Sequence, residues 1–516
     1  MKKLPIGIQT FSEIIGEDYL YVDKTREIYN LLSRGGKYYF LSRPRRFGKS
    51  LLVSTLKHIY SGNRELFKGL WIYDKIDWQS YPVIHIDFLG LRYENKAELT
   101  DSLEYLINQN AKYHQIRLTE KGYDKRFKEL IYELSRQNKV VILVDEYDKP
   151  IIDVVEHKEI ALENRNILKN FYSTIKGADE YVKFAFITGV SKFSKVSVFS
   201  DLNNLDDITM DERYATMLGY TDDELLRYFD NRIKEFCTVQ GFKREELLDD
   251  IKHWYNGYSW DGENFVYNPL SVLKFFHKGQ FGNYWFESGT PSFLIKLIKE
   301  HKVDVAQLEH YKAGEAIFES FEIGKMNVAS LLFQTGYLTI RKVEQIDRNR
   351  RLYILSYPNI EVKEAFIEHL LGEFSEKFAE EVSVIVYELR KTLLTNEIEK
   401  FFETIKSVYS GISYDIFVKD REGYYQTVIY LILMLLGIHI QTEVETNIGR
   451  IDAVIETDKH IYVMEFKMDS AAEALNQIKE KKYYEKYLTS GKNIKIIGIG
   501  FDANERNIKD YMIENI

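Results

Sequence analysis

The segment Arg43-Pro44-Arg45-Arg46-Phe47-Gly48-Lys49-Ser50 follows a short apolar run, Tyr38 to Leu41, and leads into a helical-looking stretch from Leu51. Strand, tight loop, then Gly-Lys-Ser opening a helix is the layout of a phosphate-binding P-loop. Each residue type has a reason to be there. Gly48 lets backbone N–H groups approach phosphate oxygens, Lys49 reaches the β and γ oxygens, and the Ser50 hydroxyl is placed to ligate Mg²⁺. One position departs from the pattern: the glycine that usually stands five residues before Gly48 is Arg43 here.

The remaining elements of such a site follow in order. Val140-Val141-Ile142-Leu143-Val144-Asp145-Glu146 is an apolar strand ending in two acids, the Walker B arrangement. Asp145 is suited to ordering Mg²⁺, and Glu146 to orienting or deprotonating a water. Val182 to Thr188 is a further apolar strand ending on a hydroxyl, so Thr188 is expected between the two motifs, facing a γ-phosphate. Arg45 and Arg46 would add charge to the phosphates or hold the loop against acidic neighbours. Arg213 reads either as an arginine finger or as a surface salt bridge. The plainer readings are an ordinary helix N-cap for Gly-Lys-Ser and a solvated strand end for Asp145-Glu146. The joint occurrence favours the nucleotide site.

The chain has 516 residues, too many for one core, with 45% hydrophobic and 29% charged residues, as in ordinary globular proteins. A net charge of -9 gives no global attraction to nucleic acid, so any such contact needs a local surface. The one cysteine, Cys237, forms no intrachain disulfide, and without a Cys/His cluster no structural zinc site is expected. Met-Lys-Lys-Leu-Pro has no apolar run after it to make a signal peptide. The longest apolar run, Val428 to Ile440, is too short to span a bilayer. A cytoplasmic protein with no membrane segment is expected.

Alternation of strands (Tyr38–Leu41, Val83–Asp87, Val140–Val144, Val182–Thr188) with helices (Ser50–Tyr60, Lys125–Gln137) predicts a P-loop parallel sheet covered on both faces over residues 1–215. Residues 216–304 read as a helical lid, with the aromatic turn Trp254 to Tyr258. Residues 305–375 read as winged-helix-like: a helix with Val328–Phe333, a strand near Gly336–Ile340, a basic turn Arg348–Arg351 and a strand Leu352–Leu355. A helical linker, 376–410, precedes a unit over 411–516. That unit reads as helix Tyr424–Leu436, strands His439–Thr446, Gly449–Glu456 and Ile461–Lys467, helix Ala471–Thr489 and strand Ile494–Phe501.

The last unit carries a second constellation. Gly449-Arg450-Ile451-Asp452 starts one strand, and Glu465-Phe466-Lys467 lies on the next. Alternation puts Glu465 and Lys467 on one face, and the turn Thr457–His460 folds Asp452 back toward Glu465. Two carboxylates and a lysine converging in this way suit metal-dependent phosphodiester cleavage, with the acids on Mg²⁺ and the lysine positioning water and stabilising negative charge. Glu443 would be a further ligand, and Gln477 and Tyr484 would support the site. The alternative is a solvated face of Glu–Lys cross-strand pairs, which the apolar flanks Tyr462–Met464 disfavour.

These motifs resemble a known family. Tyr21-Val22-Asp23-Lys24-Thr25 followed by Arg-Pro-Arg-Arg-Phe-Gly-Lys-Ser is similar to a bacterial AAA-ATPase-like domain, and Gly-Arg-Ile-Asp with Glu-Phe-Lys is similar to the PD-(D/E)XK nuclease superfamily. The resemblance covers nearly the whole chain and makes Arg43 the usual residue at its position. It implies ATP and Mg²⁺ as cofactors, with Lys49 and Ser50 on phosphate and Mg²⁺, Asp145 and Glu146 as Walker B and Tyr21–Thr25 nearby; Arg45, Arg46, Phe47, Gly48 and Thr188 are expected at the nucleotide as well. It implies Asp452, Glu465 and Lys467 as a nuclease triad on an αβββαβ core, with DNA as the expected partner and a homo-oligomer compatible with the architecture. Three functions stay open: an ATP-regulated nuclease, a nucleotide-dependent switch that binds nucleic acid or a partner without cutting, and an interaction protein with a degenerate loop.

Overall fold

The computed structural model describes residues 1–192, 198–199, 202–286, 292–301, 303, 305–318, 327–348, 350–375, 377–410, 421–436, 439–446, 449–468, 470–502 and 507–516. Two compact units are present. One comprises 1–301 with 308–362, and the other comprises 302–307 with 363–516. Among the described residues no helix is long and apolar enough to cross a membrane.

The first unit is built on a five-stranded sheet. Its strands are β1 (Tyr38–Ser42), β2 (Val83–Asp87), β3 (Val140–Asp145), β4 (Val182–Gly189) and the short β5 (Asp206–Asp207), in the order β2-β3-β4-β1-β5. All its pairings are parallel. Every residue of β1 and β3 is buried, which is why these strands are continuous apolar runs without alternation. The helix Lys49–Tyr60 follows β1 and puts Leu52, Val53, Leu56 and Ile59 into the core at helical spacing. Because β4 lies between β1 and β3, Thr188 does fall between the two motif strands.

The same unit continues through a helical cluster. Helices Asp222–Gln240, Arg244–Tyr255 and Pro269–Lys278 bury Phe229, Ile251, Tyr255 and Phe275 together. The first begins with a capping box between Thr221 and Glu224, and the third with Asn268 capping a Pro269 start. Three antiparallel strands follow, β6 (Tyr311–Ala313), β7 (Thr339–Asp347) and β8 (Arg350–Ser356), ordered β6-β8-β7. The helix Val328–Thr335 ahead of β7 matches the expected helix-strand-strand layout, but Val328 through Gln334 are all buried. The basic turn is shorter than expected, since Arg350 and Arg351 already belong to β8.

The second unit has a mixed sheet of β9 (His439–Thr446), β10 (Gly449–Glu456), β11 (His460–Met468), β12 (Asn493–Asp502) and β13 (Asn507–Asn515), in the order β13-β12-β11-β10-β9. β11 and β12 are parallel, and the other pairs are antiparallel. The helix Arg421–Leu435 precedes it. One face, with Val454, Ile461, Val463, Ile494 and Ile496, packs under the helix Ala471–Glu480 through Leu475 and Ile478. On the other face Tyr462 donates to the Leu393 carbonyl at 3.1 Å, and Tyr409 packs edge-on to Phe501. Helices on both sides therefore enclose the sheet.

Two expectations change here. The helix expected to run to Thr489 ends at Glu480, because Lys482 turns left-handed (φ 47°) and sends Tyr483 into the core, leaving a separate turn at Glu485–Ser490. The edge strand β13 was not foreseen, and with only Ile508 buried it carries no apolar alternation.

The helix Ala471–Glu480 approaches β12 closely enough to require glycine beneath it. A Cβ at Gly498 would stand 2.5 Å from the Leu475 backbone nitrogen and press on the Ala471 carbonyl. Gly498→Ala should lower the stability of the C-terminal unit by about 1–3 kcal/mol in a denaturant melt. An unchanged midpoint would mean that the helix is free to lift away.

Candidate functional site

The loop after β1 has the backbone of an anion cradle. Arg46 (φ 67°) and Gly48 (φ 95°) are both left-handed, with Phe47 between them. Alternating handedness turns successive N–H groups toward one point, which forms a nest for phosphate at the start of the helix Lys49–Tyr60. Glycine takes this conformation freely, whereas Arg46 bears a strain of about 1 kcal/mol or more. The Lys49 ammonium is buried and donates to the carbonyls of Arg43 and Pro44, each at 2.9 Å. Burial holds its pKa down, against the opposing pull of Asp145, Glu146 and Asp148.

The loop is fixed from outside as well. Arg43 is 1% exposed; it donates from Nη1 to the Ser42 and Thr209 carbonyls (2.9 and 2.8 Å) and from Nη2 to the Tyr214 carbonyl (3.3 Å). Its guanidinium carbon lies 3.8 Å from the ring centre of Trp260, a cation–π contact worth about 2 kcal/mol when desolvated. Burial lowers its pKa to about 9, so it remains charged at neutral pH. Phe47 is buried edge-on to Tyr258 and Trp260, with ring centres 4.7 and 5.6 Å away. Its side chain is therefore turned away from the cradle, leaving its backbone N–H as the group that could meet phosphate. The Trp285 indole N–H donates to the Arg45 carbonyl at 3.1 Å, while the Arg45 and Arg46 side chains are exposed.

At the carboxyl edge of the sheet, Asp145 is buried and Ser50 lies close enough to oppose the rise of its pKa, so the two groups expected at Mg²⁺ are neighbours. Glu146 is left-handed (φ 50°), and its N–H donates to Asp145 Oδ1 at 3.0 Å. Burial raises both pKa values, partly offset at Asp145 by Ser50 and Lys49 and at Glu146 by Lys49.

Two acids that the sequence reading passed over join them. Asp87, paired with Asp145 across β2 and β3, is raised to about 6 by burial and then by the neighbouring Asp145 and Glu146 charges. Asp148 accepts N–H bonds from Val190 (3.1 Å) and Ser191 (2.6 Å), which stitches the turn after β3 to the end of β4, and burial raises it to about 6. The one signal for Asp87 was a second apolar strand ending in an acid.

Other expected residues take specific places. The Thr188 hydroxyl is buried and donates to the Leu41 carbonyl at 2.8 Å, so it serves the sheet. Arg213 is paired with Asp211 through two nitrogens, as the salt-bridge reading has it. Asp23 accepts from Thr25 and from the Trp71 N–H.

In the second unit the β10–β11 pairing, Ala453 opposite Met464, brings Asp452 and Glu465 opposite each other one step further on. There the Asp452 carboxylate, not a ladder carbonyl, accepts the Phe466 N–H at 2.8 Å. Lys467 Nζ lies 3.5 Å from Glu465 Oε1, and Gln477, on the helix Ala471–Glu480, donates to that same oxygen. Glu465 is 2% exposed, and its Oε2 has no partner among the described residues. Burial and then the Asp452 charge raise its pKa to about 7, against the pull of Lys467. Tyr484 packs against the Val454–Ile461 cluster instead. The register, with Thr442 opposite Ala453 and Val444 opposite Ile451, puts position 443 across from Asp452, but the Glu443 side chain lies outside the described residues.

Among the described residues no group of three or more His, Cys, Asp or Glu converges as a metal cage. Mg²⁺ rarely uses such cages; it is held by one or two carboxylates with water and phosphate oxygens. The residues present fit that mode. Asp145 with Ser50 offers one such pair, and Asp452 with the orphaned Glu465 oxygen offers another.

Comparison with known proteins identifies two domains in the chain. Residues 5–199 match the family described as Predicted AAA-ATPase, and residues 420–511 match the PD-(D/E)XK nuclease superfamily. A relative from Azotobacter chroococcum mcd 1, "Uncharacterized protein in vnfD 5'region", is 41% identical over 528 residues, spanning 100% of this chain and 99% of its own length. With the phosphate loop in the first match and Asp452, Glu465 and Lys467 in the second, the chain belongs to a family that joins an AAA-ATPase-like domain to a PD-(D/E)XK nuclease-superfamily domain.

Proposed function

We propose that the protein is an ATP-binding, Mg²⁺-dependent nuclease acting on DNA, in which nucleotide turnover in residues 1–215 regulates cleavage by residues 411–516. In this reading 216–304 act as a helical lid, 305–375 as a winged-helix-like support and 376–410 as a linker. The nucleotide half rests on the left-handed Arg46–Gly48 nest at the start of the helix Lys49–Tyr60, with Ser50 acting on the nearby Asp145 carboxyl. Backbone N–H groups of the loop would hold phosphate, Lys49 would leave its carbonyls for the β and γ oxygens, and Arg45 and Arg46 would add charge. Glu146 would orient the attacking water. Thr188 contributes through the alignment of β4.

The cutting half rests on Glu465, a buried carboxylate beside Asp452 with one oxygen that has no partner among the described residues. Mg²⁺, when bound, supplies Lewis-acid charge at the phosphate. Asp452 and Glu465 would hold it, and Lys467 would position water and stabilise the negative charge that develops.

The deciding experiment is cleavage of plasmid and single-stranded DNA with and without ATP. Glu465→Ala and Lys467→Ala should lose about 10²–10³-fold in rate. Lys49→Ala should still cut, but without response to ATP. If no DNA or RNA is cut under Mg²⁺ or Mn²⁺ with ATP bound, the protein is a switch and not a nuclease.

Glu465 also sets a pH dependence. Its carboxyl is raised from an ordinary 4.5 to about 7 in the folded state, so the stability it contributes is present below 4.5 and lost as pH rises through 7. Metal-free protein should therefore have a C-terminal unit less stable at pH 8 than at pH 4.5 by about 3 kcal/mol from this group. In thermal melts with chelator, Glu465→Gln should flatten that slope, and Mg²⁺ should restore wild-type stability at pH 8. A wild-type slope retained in Glu465→Gln would assign the titration elsewhere.

A further inference from the structure

The P-loop position that usually carries glycine carries a buried arginine whose guanidinium is held by groups outside the phosphate cradle, with Nε left without a partner among the described residues. Its Nη groups are taken by the carbonyls of Ser42, Thr209 and Tyr214, and its flat face is taken by Trp260. Its neighbours are held from the same side. Phe47 packs on Tyr258 and Trp260, the Arg45 carbonyl accepts from Trp285, and a Cβ at Gly336 would stand 2.7 Å from the Pro44 Cβ. Four of the five residues from Arg43 to Phe47 are thus gripped by residues of the helical and winged-helix-like segments.

The cradle is also linked to this grip from within. Lys49 donates to the carbonyls of Arg43 and Pro44, two of the gripped residues. Phosphate entering the nest draws the ammonium away from both carbonyls. Those carbonyls then need other donors or a small rotation of their peptides. The peptide that follows Arg43 cannot rotate without disturbing a guanidinium that is hydrogen-bonded on one side and stacked on the other.

We propose that Arg43 is a positioning residue that couples occupation of the loop by nucleotide phosphates to the aromatic segment Tyr258–Trp260, and takes no part in binding phosphate itself. The proposal rests on the nucleotide reading above and adds the route by which the helical segment senses the bound state. The plain alternative is a static staple that holds the loop in shape and transmits nothing. Static packing would leave Trp260 indifferent to nucleotide, and this separates the two.

The test uses the full-length chain, with ATP and Mg²⁺ affinity measured by equilibrium dialysis and tryptophan emission titrated in parallel. The chain has five tryptophans, so Trp260→Phe identifies the reporter. Wild type should show a saturable emission change whose midpoint matches the dialysis curve. Trp260→Phe should bind ATP within about threefold of wild type and lose the larger part of that change. Arg43→Gly, which restores the usual loop glycine, should also bind within about threefold, lose the emission change and lose the effect of ATP on cleavage.

The proposal is overturned if the emission change persists in both variants. It is also overturned if Arg43→Gly, melting like wild type, weakens ATP about 100-fold, which would make Arg43 a phosphate ligand. If Arg43→Gly does not fold, Trp260→Phe decides alone: a retained signal overturns the coupling, and a lost signal with ATP still bound supports it. Wild type that binds no ATP by dialysis removes the nucleotide reading and the coupling with it. Wild type that binds ATP with silent tryptophans removes only the coupling.

Discussion

A guanidinium shut away from water must find a carbonyl or a π face in every direction it can reach, and Arg43 imposes that demand at the centre of the first unit. Nη1, Nη2 and the flat face meet it, while Nε keeps no partner among the described residues, and the partners draw together the end of β1, the Thr209–Tyr214 stretch after β5 and Trp260 of the helical region. A buried charge with one partner removed is costly, so these segments are held at one relative placement. The loop between them takes its shape from this frame as much as from its own sequence. That explains how Arg46, a poor residue for left-handed backbone, holds φ 67° without a glycine. Strain at Arg46 and at Glu146 is tolerated where the surroundings over-determine the chain, and both residues border the candidate phosphate site.

How much of this was legible in the sequence depends on how local each cause is. Strands buried on both faces announce themselves as apolar runs, so Val83–Asp87 agrees end to end, and β1, β3 and β4 differ by one residue at the carboxyl end. Turn chemistry fixed β9 and β10 equally well. The edge strand β13 buries too little to show a period, and the helix after Ser470 overran because its charged end continues a helical composition while a single left-handed lysine stops it. At the sites, the motif residues were legible because short-range spacing carries them. Asp87, Asp148 and Trp260 were not: the first matters through cross-strand register, the second through hydrogen bonds to β4, the third through a contact more than two hundred residues away in sequence. The placement of Thr188 could be read, but the hydroxyl's partner could not.

The two candidate sites, on different sheets in different units, share one electrostatic design. In each, more carboxylate than cation is brought out of water. Asp145, Glu146 and Asp148 surround Lys49 with Asp87 beside Asp145, and Asp452 with Glu465 faces Lys467. Desolvation is the largest influence on every shifted acid in both groups, and it raises each of them. A fold does not gain stability from that arrangement, because each ionised carboxylate is kept where it is poorly solvated. A divalent cation reverses the balance, since it satisfies acceptors that the protein leaves short of donors. Binding to the folded state alone then stabilises it in proportion to the logarithm of ligand concentration.

The same reasoning distinguishes the two halves. At the first sheet the excess charge is partly offset by Ser50, Lys49 and backbone N–H groups. At the second sheet Glu465 keeps an oxygen with no partner among the described residues, under a helix that Gly498 and Gly500 allow to press close. Of the two, the carboxylate pair of the second unit is the one whose geometry is least explained without a cation. A metal-dependent reading is therefore stronger there than any reading of the pair as surface decoration, because surface Glu–Lys pairs stay in water and this glutamate does not.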